Sequence, residues 1–521
     1  MSCTIPPIPA VEVPEPVPGR HARPWRTLAA MALGVSMIGL DSSVVSLANP
    51  AIGHDLHASA AGLQWVTNAY LLALATTLIL GGKLGDRFGR RTIYLTGVAG
   101  FTLASVAIGL SGSIEDVVAF RAAQGVFGAL LLPNTLGILR AAFAPGEFTL
   151  AVGIWAMISS ASTALGPIVG GFLVEHVSWE SIFYLNAPLG VITLLVGALF
   201  LSQSRSTGQR QRFDIPGVLL LALGQNSVIF GIIKGESWGW SSGTILTTVG
   251  TGIAALVLFG WHETRTPNPL LPMRLFRNRT LTIGACMTAL TFFVLLGSMF
   301  FVMLYLQNVQ AMSPIESGVR TLPLSLGSLA AAPAGAVLTE RLGARLTMPV
   351  GMLLLASAAF WMLTWSAGSS YGLLLPSLFA LGVGSGMVMA ATSEAVLTGA
   401  PMEDAGVAGG IQSTSIQIGG AFGTSVLVSL LGSRAAATLT GELTQAGVPA
   451  TLAAALSTDK GAVAVGGTPR TRDMPARLAA AVTDGSTQAF MNGLHRAAFT
   501  AGLLCIAGAV LAAVGVRPNP R

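Results

Sequence analysis

Two ionisable side chains lie inside apolar stretches of this sequence. Asp41 lies within the run 27–52, and Arg121 lies near the start of the run 117–139. Desolvation disfavours the ionised form of a carboxyl group, so Asp41 is a candidate for carrying a proton or facing a cation. A buried arginine needs an acidic or carbonyl partner, although a long side chain near a helix end can instead extend to the interface.

The elements that position these two residues are apolar segments long enough to cross a membrane. Hydrophobic residues make up 52% of the chain and charged residues only 10%. A helix needs about 20 apolar residues to cross a hydrocarbon core about 30 Å thick. The sequence predicts fourteen such helices, near 27–52, 63–82, 92–112, 117–139, 149–173, 182–201, 215–233, 243–261, 280–306, 318–339, 346–366, 372–397, 406–432 and 494–515.

These segments predict four regions along the chain. A proline-rich tail, expected to be disordered and cytoplasmic, precedes the first segment. Six helices then form an N-terminal half, two extra helices belong to a linker, and six helices form a C-terminal half with a long extracytoplasmic loop. The predicted bounds are 1–25 for the tail, 26–201 for the first half, 202–279 for the linker, 280–521 for the second half and 433–493 for its loop.

The positive charges predict the orientation, because cytoplasmic loops retain arginine and lysine. With the N-terminus inside, the inner loops hold the basic stretches 83–91, 205–212 and 274–279. The short outer loops hold only Lys234 and Arg320. We therefore expect both termini in the cytoplasm, and we attribute the net charge of +6 to short loops and not to a nucleic-acid surface.

An internal repeat relates the two predicted halves. Residues 84–91 and 338–345 share the pattern L-x-[DE]-R-x-G-x-R, and each follows the second apolar segment of its half. Two repeated six-helix halves around a central path are a transporter plan that works by alternating access. A channel would not need such a pair of basic hinge loops.

These motifs resemble those of the major facilitator superfamily, and specifically its fourteen-helix drug:proton antiporters. The resemblance covers nearly all of Arg26–Arg517. Gly82-Lys-Leu-Gly-Asp86-Arg87-Phe-Gly89-Arg90-Arg is similar to the family's loop between helices two and three, which is implied to latch the halves together. The repeat adds two residues to this conformational motif, Glu340 and Arg341.

Three further motifs carry the resemblance. The stretch 40–50 in the first segment retains Asp41 but departs from the family pattern at Ser43, Ser46 and Asn49. The stretch Arg121-Ala-Ala-Gln124-Gly125 implies that Arg121 takes part in proton coupling with Asp41, provided that its side chain crosses a depth difference of roughly 8 Å. The pattern Gly166-Pro167-Ile-Val-Gly170-Gly171 is the one associated with exporters, although small residues on one stripe also serve plain helix packing.

Weaker signals suggest a substrate path. Polar residues in membrane segments favour a water-lined face, and aromatic residues can line a pocket, although they more often pack against lipid or other helices. We predict that the path is lined by Gln64, Asn68, Gln124, Phe293, Gln412 and Gln417.

A polytopic membrane enzyme is the rival from another class. The six histidines lack metal-ligand spacing, and no phosphate-binding lysine loop is present. We therefore expect no catalytic residues, no cofactor and no metal. The sequence predicts an all-α membrane protein of the major facilitator fold in a bacterial cytoplasmic membrane. It is expected to act as a monomer that exchanges protons for small amphipathic drugs, dyes or antibiotics, or for one endogenous metabolite.

Overall fold

A computed structural model describes residues 24–143, 145–203, 214–267, 269–400, 405–457, 460–469 and 474–516. Regular structure in this part of the chain is helical. The helices are α1 Pro24–Asp55, α2 Ala60–Phe88, α3 Arg90–Gly109, α4 Ile114–Ala142, α5 Pro145–His176, α6 Ser181–Tyr184, α7 Asn186–Phe200, α8 Ile215–Trp238, α9 Gly243–Arg265, α10 Arg279–Leu304, α11 Pro314–Leu342, α12 Ala344–Trp361, α13 Tyr371–Thr398, α14 Ala405–Gln445, α15 Ala450–Leu456, α16 Lys460–Ala464 and α17 Ala476–Gly515.

Each of the fourteen apolar segments falls on a helix. Among the described residues, twelve helices or helix pairs are long and apolar enough to cross a membrane. These twelve are α1, α3, α4, the α6–α7 pair, each of the seven helices from α8 to α14, and α17. The helices α2 and α5 contain 29 and 32 residues and are not among the twelve. The fourteen-span count therefore stays a prediction.

The two halves repeat one packing scheme. In the first half α1 packs against α4, α5 and α7, and α4 packs against α2 and α3. In the second half α10 packs against α13, α14 and α17, and α13 packs against α11 and α12. The two inserted helices α8 and α9 pack against each other, and α8 also contacts α2 and α14. The inserted pair thus lies at a seam between the halves.

The sequence repeat occupies equivalent turns in the two halves. Gly89 between α2 and α3 has φ 107°, and Gly343 between α11 and α12 has φ 80°. Only glycine adopts such positive φ values without strain, which explains its place in the repeat. Arg91 donates to the Ala198 carbonyl near the end of α7 at 2.8 Å, and Arg345 donates to the Ala513 carbonyl near the end of α17 at 3.0 Å. The last arginine of each motif therefore binds the final helix of its own half.

Two predicted boundaries need correction. The segment 433–493 is not an irregular loop, because α14 continues to Gln445, α17 begins at Ala476, and α15 and α16 lie between them. Alanine is the strongest helix former, and buried apolar residues of these four helices pack into one cluster. The tail predicted at 1–25 lies outside the described residues up to 23, and α1 already begins at Pro24.

Contacts between the halves lie at the end of the molecule where α1 and α5 finish and α2 and α11 begin. Gln307 donates to the Leu47 carbonyl at 3.0 Å. The Ile315 amide donates to Glu175 at 3.0 Å, and Asn68 of α2 donates to the Ser425 hydroxyl of α14 at 2.9 Å. The halves are therefore joined at this end.

Candidate functional site

A buried ion pair links α1 and α4 in the N-terminal half. Arg121 donates to Asp41 Oδ2 at 2.7 Å, and the exposed side-chain fractions are 2% for Arg121 and 1% for Asp41. At this burial the alternative in which Arg121 extends to the interface is wrong for this structure. The attraction compensates the cost of removing both charges from water only if their remaining hydrogen-bonding atoms are also satisfied.

Polar side chains from three helices complete the network. Gln124, one turn after Arg121, donates to Asp41 Oδ1 at 3.0 Å and to Ser105 of α3 at 2.6 Å, while its carbonyl oxygen accepts from Arg121. Asn186 at the start of α7 donates to Asp41 Oδ1 at 3.3 Å and to Ser105 at 3.2 Å. Asp41 therefore accepts hydrogen bonds from Arg121, Gln124 and Asn186.

The remaining face of Arg121 is enclosed by α2. Its Nε donates to the Val66 carbonyl at 3.1 Å, and its guanidinium carbon lies 4.3 Å from the centre of the Tyr70 ring. The Tyr70 hydroxyl is buried and has no hydrogen-bond partner among the described residues. A cation over an aromatic face is attracted by the ring quadrupole, so Tyr70 holds the guanidinium without neutralising it.

The structure thus brings Asp41 and Arg121 together across the predicted depth difference. Sequence reasoning missed Asn186, which donates to Asp41, and Ser105, which accepts from Gln124 beside it. Asn186 interrupts the apolar segment 182–201 just after its start, and this interruption was the available signal. Ser105 gave none, because small hydroxyl residues are common in membrane helices that pack closely.

The exporter-type motif in α5 contacts both halves. A Cβ added at Gly166 would collide with Ser43 of α1, and one at Gly170 would come within 2.5 Å of Val44 of the same helix. On the other side, a Cβ at Gly171 would lie 2.6 Å from Ile315 Cα of α11. The Pro167 carbonyl likewise lies against Gly318 of α11. The motif lets α5 approach α1 and α11 at once.

The loop motif has contacts within its own half, and its Lys83 also donates to the Pro269 carbonyl of the linker at 3.2 Å. Arg90 donates to the Gly137 carbonyl of α4 at 3.1 Å. Gly82 packs beside Pro133, and the Arg87 guanidinium lies 5.4 Å from the centre of the Phe88 ring. The side chain of Asp86 lies outside the described residues.

The remaining residues predicted to take part in conformational change are Glu340, Arg341 and Gly125, and they differ in how far they are buried. Glu340 and Arg341 are exposed at the end of α11. Gly125 of α4 packs against the Tyr70 carbonyl of α2, where a Cβ would collide. Gly125 therefore permits close approach beside the Arg121 network, whereas the two residues of the repeat face outward.

The predicted substrate-path residues do not form one cluster. Gln124 belongs to the Asp41 network, whereas Asn68 joins the halves. Gln412 donates to Ser393 at 2.6 Å. Gln64 is buried, while Phe293 and Gln417 are half-buried. The substrate path itself stays a prediction. Among the described side chains, no group of three or more His, Cys, Asp or Glu residues could hold a metal ion.

Comparisons with known proteins agree with this architecture. The model of the Major Facilitator Superfamily matches residues 31–424. The tetracenomycin C resistance and export protein of Streptomyces glaucescens is 41% identical over 97% of this chain and 94% of its own. The multidrug efflux pump LfrA of Mycolicibacterium smegmatis is 30% identical over 95% and 97%. A crystal structure of a bacterial homolog of the human lysosomal transporter Spinster, with 17% identity, covers 95% of this chain and 98% of its own with a TM-score of 0.65.

Proposed function

The chain belongs to the major facilitator superfamily, and from that premise we propose that it exports small amphipathic drugs, dyes or antibiotics in exchange for protons. The single observation that carries export is the similarity to the tetracenomycin C resistance and export protein over almost the full length of both chains. The similarity to a multidrug efflux pump supports the same class of substrate. The solved structures support the fold and add nothing about the substrate.

Proton coupling rests on the buried network around Asp41. In the described arrangement Asp41 accepts from three donors, and one of them, Arg121 at 2.7 Å, supplies its counter-charge. Separation from Arg121 in a second arrangement would leave a buried carboxylate without its counter-charge, and proton uptake would then be favoured. Alternation between these arrangements would couple the proton to the movement of the halves.

The two halves supply the element that moves. They repeat one packing scheme, and their contacts at one end include Asn68–Ser425 and Gln307–Leu47. The α5 motif contacts α1, which carries Asp41, and α11 of the other half. We propose that protonation of Asp41 alters the α1–α5 contact and that α5 transmits this change to α11.

The proposed topology has fourteen spans, with both termini in the cytoplasm of a bacterium and 433–493 outside. The basic inner loops support this orientation. Cysteines introduced at Ser457 and Gly208 test it in intact cells. An impermeant thiol reagent should label Ser457→Cys alone, and labelling of Gly208→Cys from outside would overturn the orientation.

The deciding experiment measures transport in proteoliposomes of the purified, full-length chain. An imposed pH gradient should drive tetracenomycin C or ethidium against its concentration gradient, and collapse of that gradient by a protonophore should stop the flux. Flux that persists without the pH gradient and instead requires a sodium gradient would contradict proton coupling. Absence of any substrate flux, with the protein folded, would contradict export of this class.

Self-resistance to one compound is the second candidate, because a similar protein is named for resistance to and export of a single antibiotic. A broad exporter should transport ethidium and tetracenomycin C at comparable rates. A dedicated exporter should transport one compound only. Competition between the two substrates in the same vesicles distinguishes these outcomes.

A further inference from the structure

A second group of ionisable side chains lies at the end of the inserted α8–α9 pair, away from Asp41. Asp214 caps the start of α8, where its Oδ1 accepts from the Gly217 amide at 2.9 Å. Glu263 lies in the last turn of α9, and its Oε2 accepts from the Leu271 amide at 2.7 Å. Asp214 is 5% exposed and Glu263 is 3% exposed. Both carboxyl groups are therefore removed from water.

The second oxygen of each carboxyl group faces the other. The two carboxyl groups are close enough for each to act on the charge of the other. A Cβ added at Gly217 would lie 2.5 Å from Asp214 Oδ2 and 2.7 Å from Glu263 Oε1. These two oxygens are buried and accept no hydrogen bond from any described donor. Two ionised carboxylates in this position would repel each other, and each would leave one oxygen unpaired.

A single proton would remove both the repulsion between the carboxylates and the unpaired oxygens, because a carboxylic acid can donate a hydrogen bond to a neighbouring carboxylate. Asp214 is the natural acceptor. Burial raises the pKa of Asp214, but hydrogen bonds from His262, the Gly217 amide and Glu263 outweigh burial and hold the pKa below its ordinary value. His262 Nε2 lies 2.6 Å from Asp214 Oδ1. Glu263 is then the partner that holds the proton.

The pair is connected to the loop motif of the first half. Lys83 of α2 donates to the Pro269 carbonyl at 3.2 Å, and both carboxyl groups act on its charge. Pro269 and Leu271 belong to the same linker between α9 and α10, so Lys83 and Glu263 hold one segment from two sides. The charged groups that act on the pair from the helices packed here are Lys83 of α2 and His262 of α9.

We propose that Asp214 and Glu263 form a second proton-binding site, in which one proton is shared between Asp214 Oδ2 and Glu263 Oε1. Loss of this proton places two negative charges side by side, and their repulsion moves Glu263 away from Asp214 and out of the position in which it accepts from the Leu271 amide. The linker between α9 and α10, and with it the contact to Lys83, then loosens. The site needs no substrate, so its existence does not depend on the transport function proposed above.

Infrared spectroscopy of the full-length protein in lipid nanodiscs tests the shared proton. The carbonyl band of a protonated carboxyl group should disappear as pH rises, and Glu263→Gln should abolish that band because glutamine has no carboxyl group. Glu394→Gln is the matched control and should retain it. In Asp214→Asn the band should disappear at a lower pH, because the neighbouring negative charge is gone. An unchanged midpoint in Asp214→Asn would overturn the proposal.

Thermal unfolding gives an independent readout. Stability from a proton that only the folded pair binds is present at acidic pH and is lost as pH rises past the point of release. As pH rises past the point of proton release, the melting temperature of the wild type should therefore fall by more than that of Glu263→Gln. Gly217→Ala should shift the midpoint by crowding both oxygens, whereas Gly250→Ala, which meets nothing within 4 Å, should not.

A metal cation is the competing occupant of two facing carboxylates. The alkaline melting temperature is therefore measured in choline, sodium, potassium and magnesium chloride at equal ionic strength. Equal values in all four salts are expected for a proton site. Restoration by one metal cation would show a cation site and would overturn the proposal.

Discussion

The two halves share one packing scheme but treat their buried polar groups differently. In the first half, side chains from α1, α3, α4 and α7 hydrogen-bond across helices around the Asp41–Arg121 pair. In the second half, four buried hydroxyls of α10 and α13 donate to carbonyls of their own helices three or four residues earlier. These hydroxyls belong to Thr288, Thr291, Ser377 and Ser385.

This difference suggests that the second half serves mainly as a scaffold and that the first half carries the ionisable network. Polar groups satisfied within one helix leave that helix free to shift as a unit. A network that joins four helices through a charge pair instead depends on the relative positions of those helices. We infer that the first half holds the proton and that the second half supplies a surface against which it moves. Changes confined to either half test this division.

The largest effect is expected from Asp41→Asn. The neutral side chain retains the shape of aspartate but cannot release a proton, so pH-driven export should fall to the level of empty vesicles. Asp41→Glu should retain partial activity, because its carboxyl group is displaced by one methylene. Substrate-induced proton release from the purified protein is the direct measurement.

Ser385→Ala is the matched change in the second half, since the described hydrogen bond of the Ser385 hydroxyl, to the Gly382 carbonyl, lies within α13. It should leave export close to that of the wild type. Undiminished proton release from Asp41→Asn would assign coupling to another group, of which Glu394 in α13 is the first to test.

The next largest effect is expected from Gly166→Leu. Gly166 packs against Ser43 of α1, so a bulky side chain would force α5 away from the helix that carries Asp41. Export should be lost while membrane abundance stays normal, as measured by efflux assay and immunoblot. Gly250→Leu in α9 is the control, because nothing lies within 4 Å of its Cβ position. Normal efflux from Gly166→Leu would refute the role given to α5.

A smaller effect is expected at the contact between halves. Asn68 donates to Ser425 and accepts from Thr424 of α14. Asn68→Ala should destabilise this arrangement by about 1–2 kcal/mol, because it removes two buried hydrogen bonds between the halves, while both hydroxyls keep their bonds to carbonyls of α14. A double-mutant cycle of Asn68→Ala with Ser425→Ala, followed by thermal unfolding, should show coupling. Asn226→Ala is the control, since the described hydrogen bond of the Asn226 side chain, to the Ala222 carbonyl, lies within α8. Strict additivity in the cycle would contradict the contact.

The smallest effect is expected from the repeated arginines. Arg91→Gln and Arg345→Gln each remove a bond to the last helix of one half, at Ala198 and Ala513. Each should cost about 0.5–1.5 kcal/mol, since each removes one exposed hydrogen bond. Equal shifts in melting temperature would support equivalent scaffolds. A loss of export from only one of them would show that the motif carries more than structure.

The scaffold was predictable because its signals are local. Apolar length fixed each helix to within a few residues in most cases, and the glycine of the repeat marked two equivalent turns with positive φ. The boundary errors at α14 and α17 arose because hydropathy marks where lipid ends. It does not mark where a helix ends, and an alanine-rich segment favours helix beyond the most apolar stretch.

The candidate site was only partly predictable. A charge within an apolar run stands out, and Asp41 and Arg121 were found in this way. Ser105 and Asn186 depend on which helix faces meet, and that information is not local in sequence. The same reason hid the Asp214–Glu263 pair, since one residue caps α8 and the other lies at the far end of α9.

Because α14 and α17 are long, a small rotation of either helix produces a large displacement at its far end. With 41 and 40 residues, each is about 60 Å long at 1.5 Å per residue, roughly twice the thickness of a bilayer's hydrocarbon core. Their far ends are fastened together by the cluster that includes Leu443 and Val482. A rotation of the second half by roughly 10° would displace a point about 30 Å along either helix by about 5 Å. A spin label at the exposed Gly441 would therefore amplify helix movements that are too small to resolve inside the membrane.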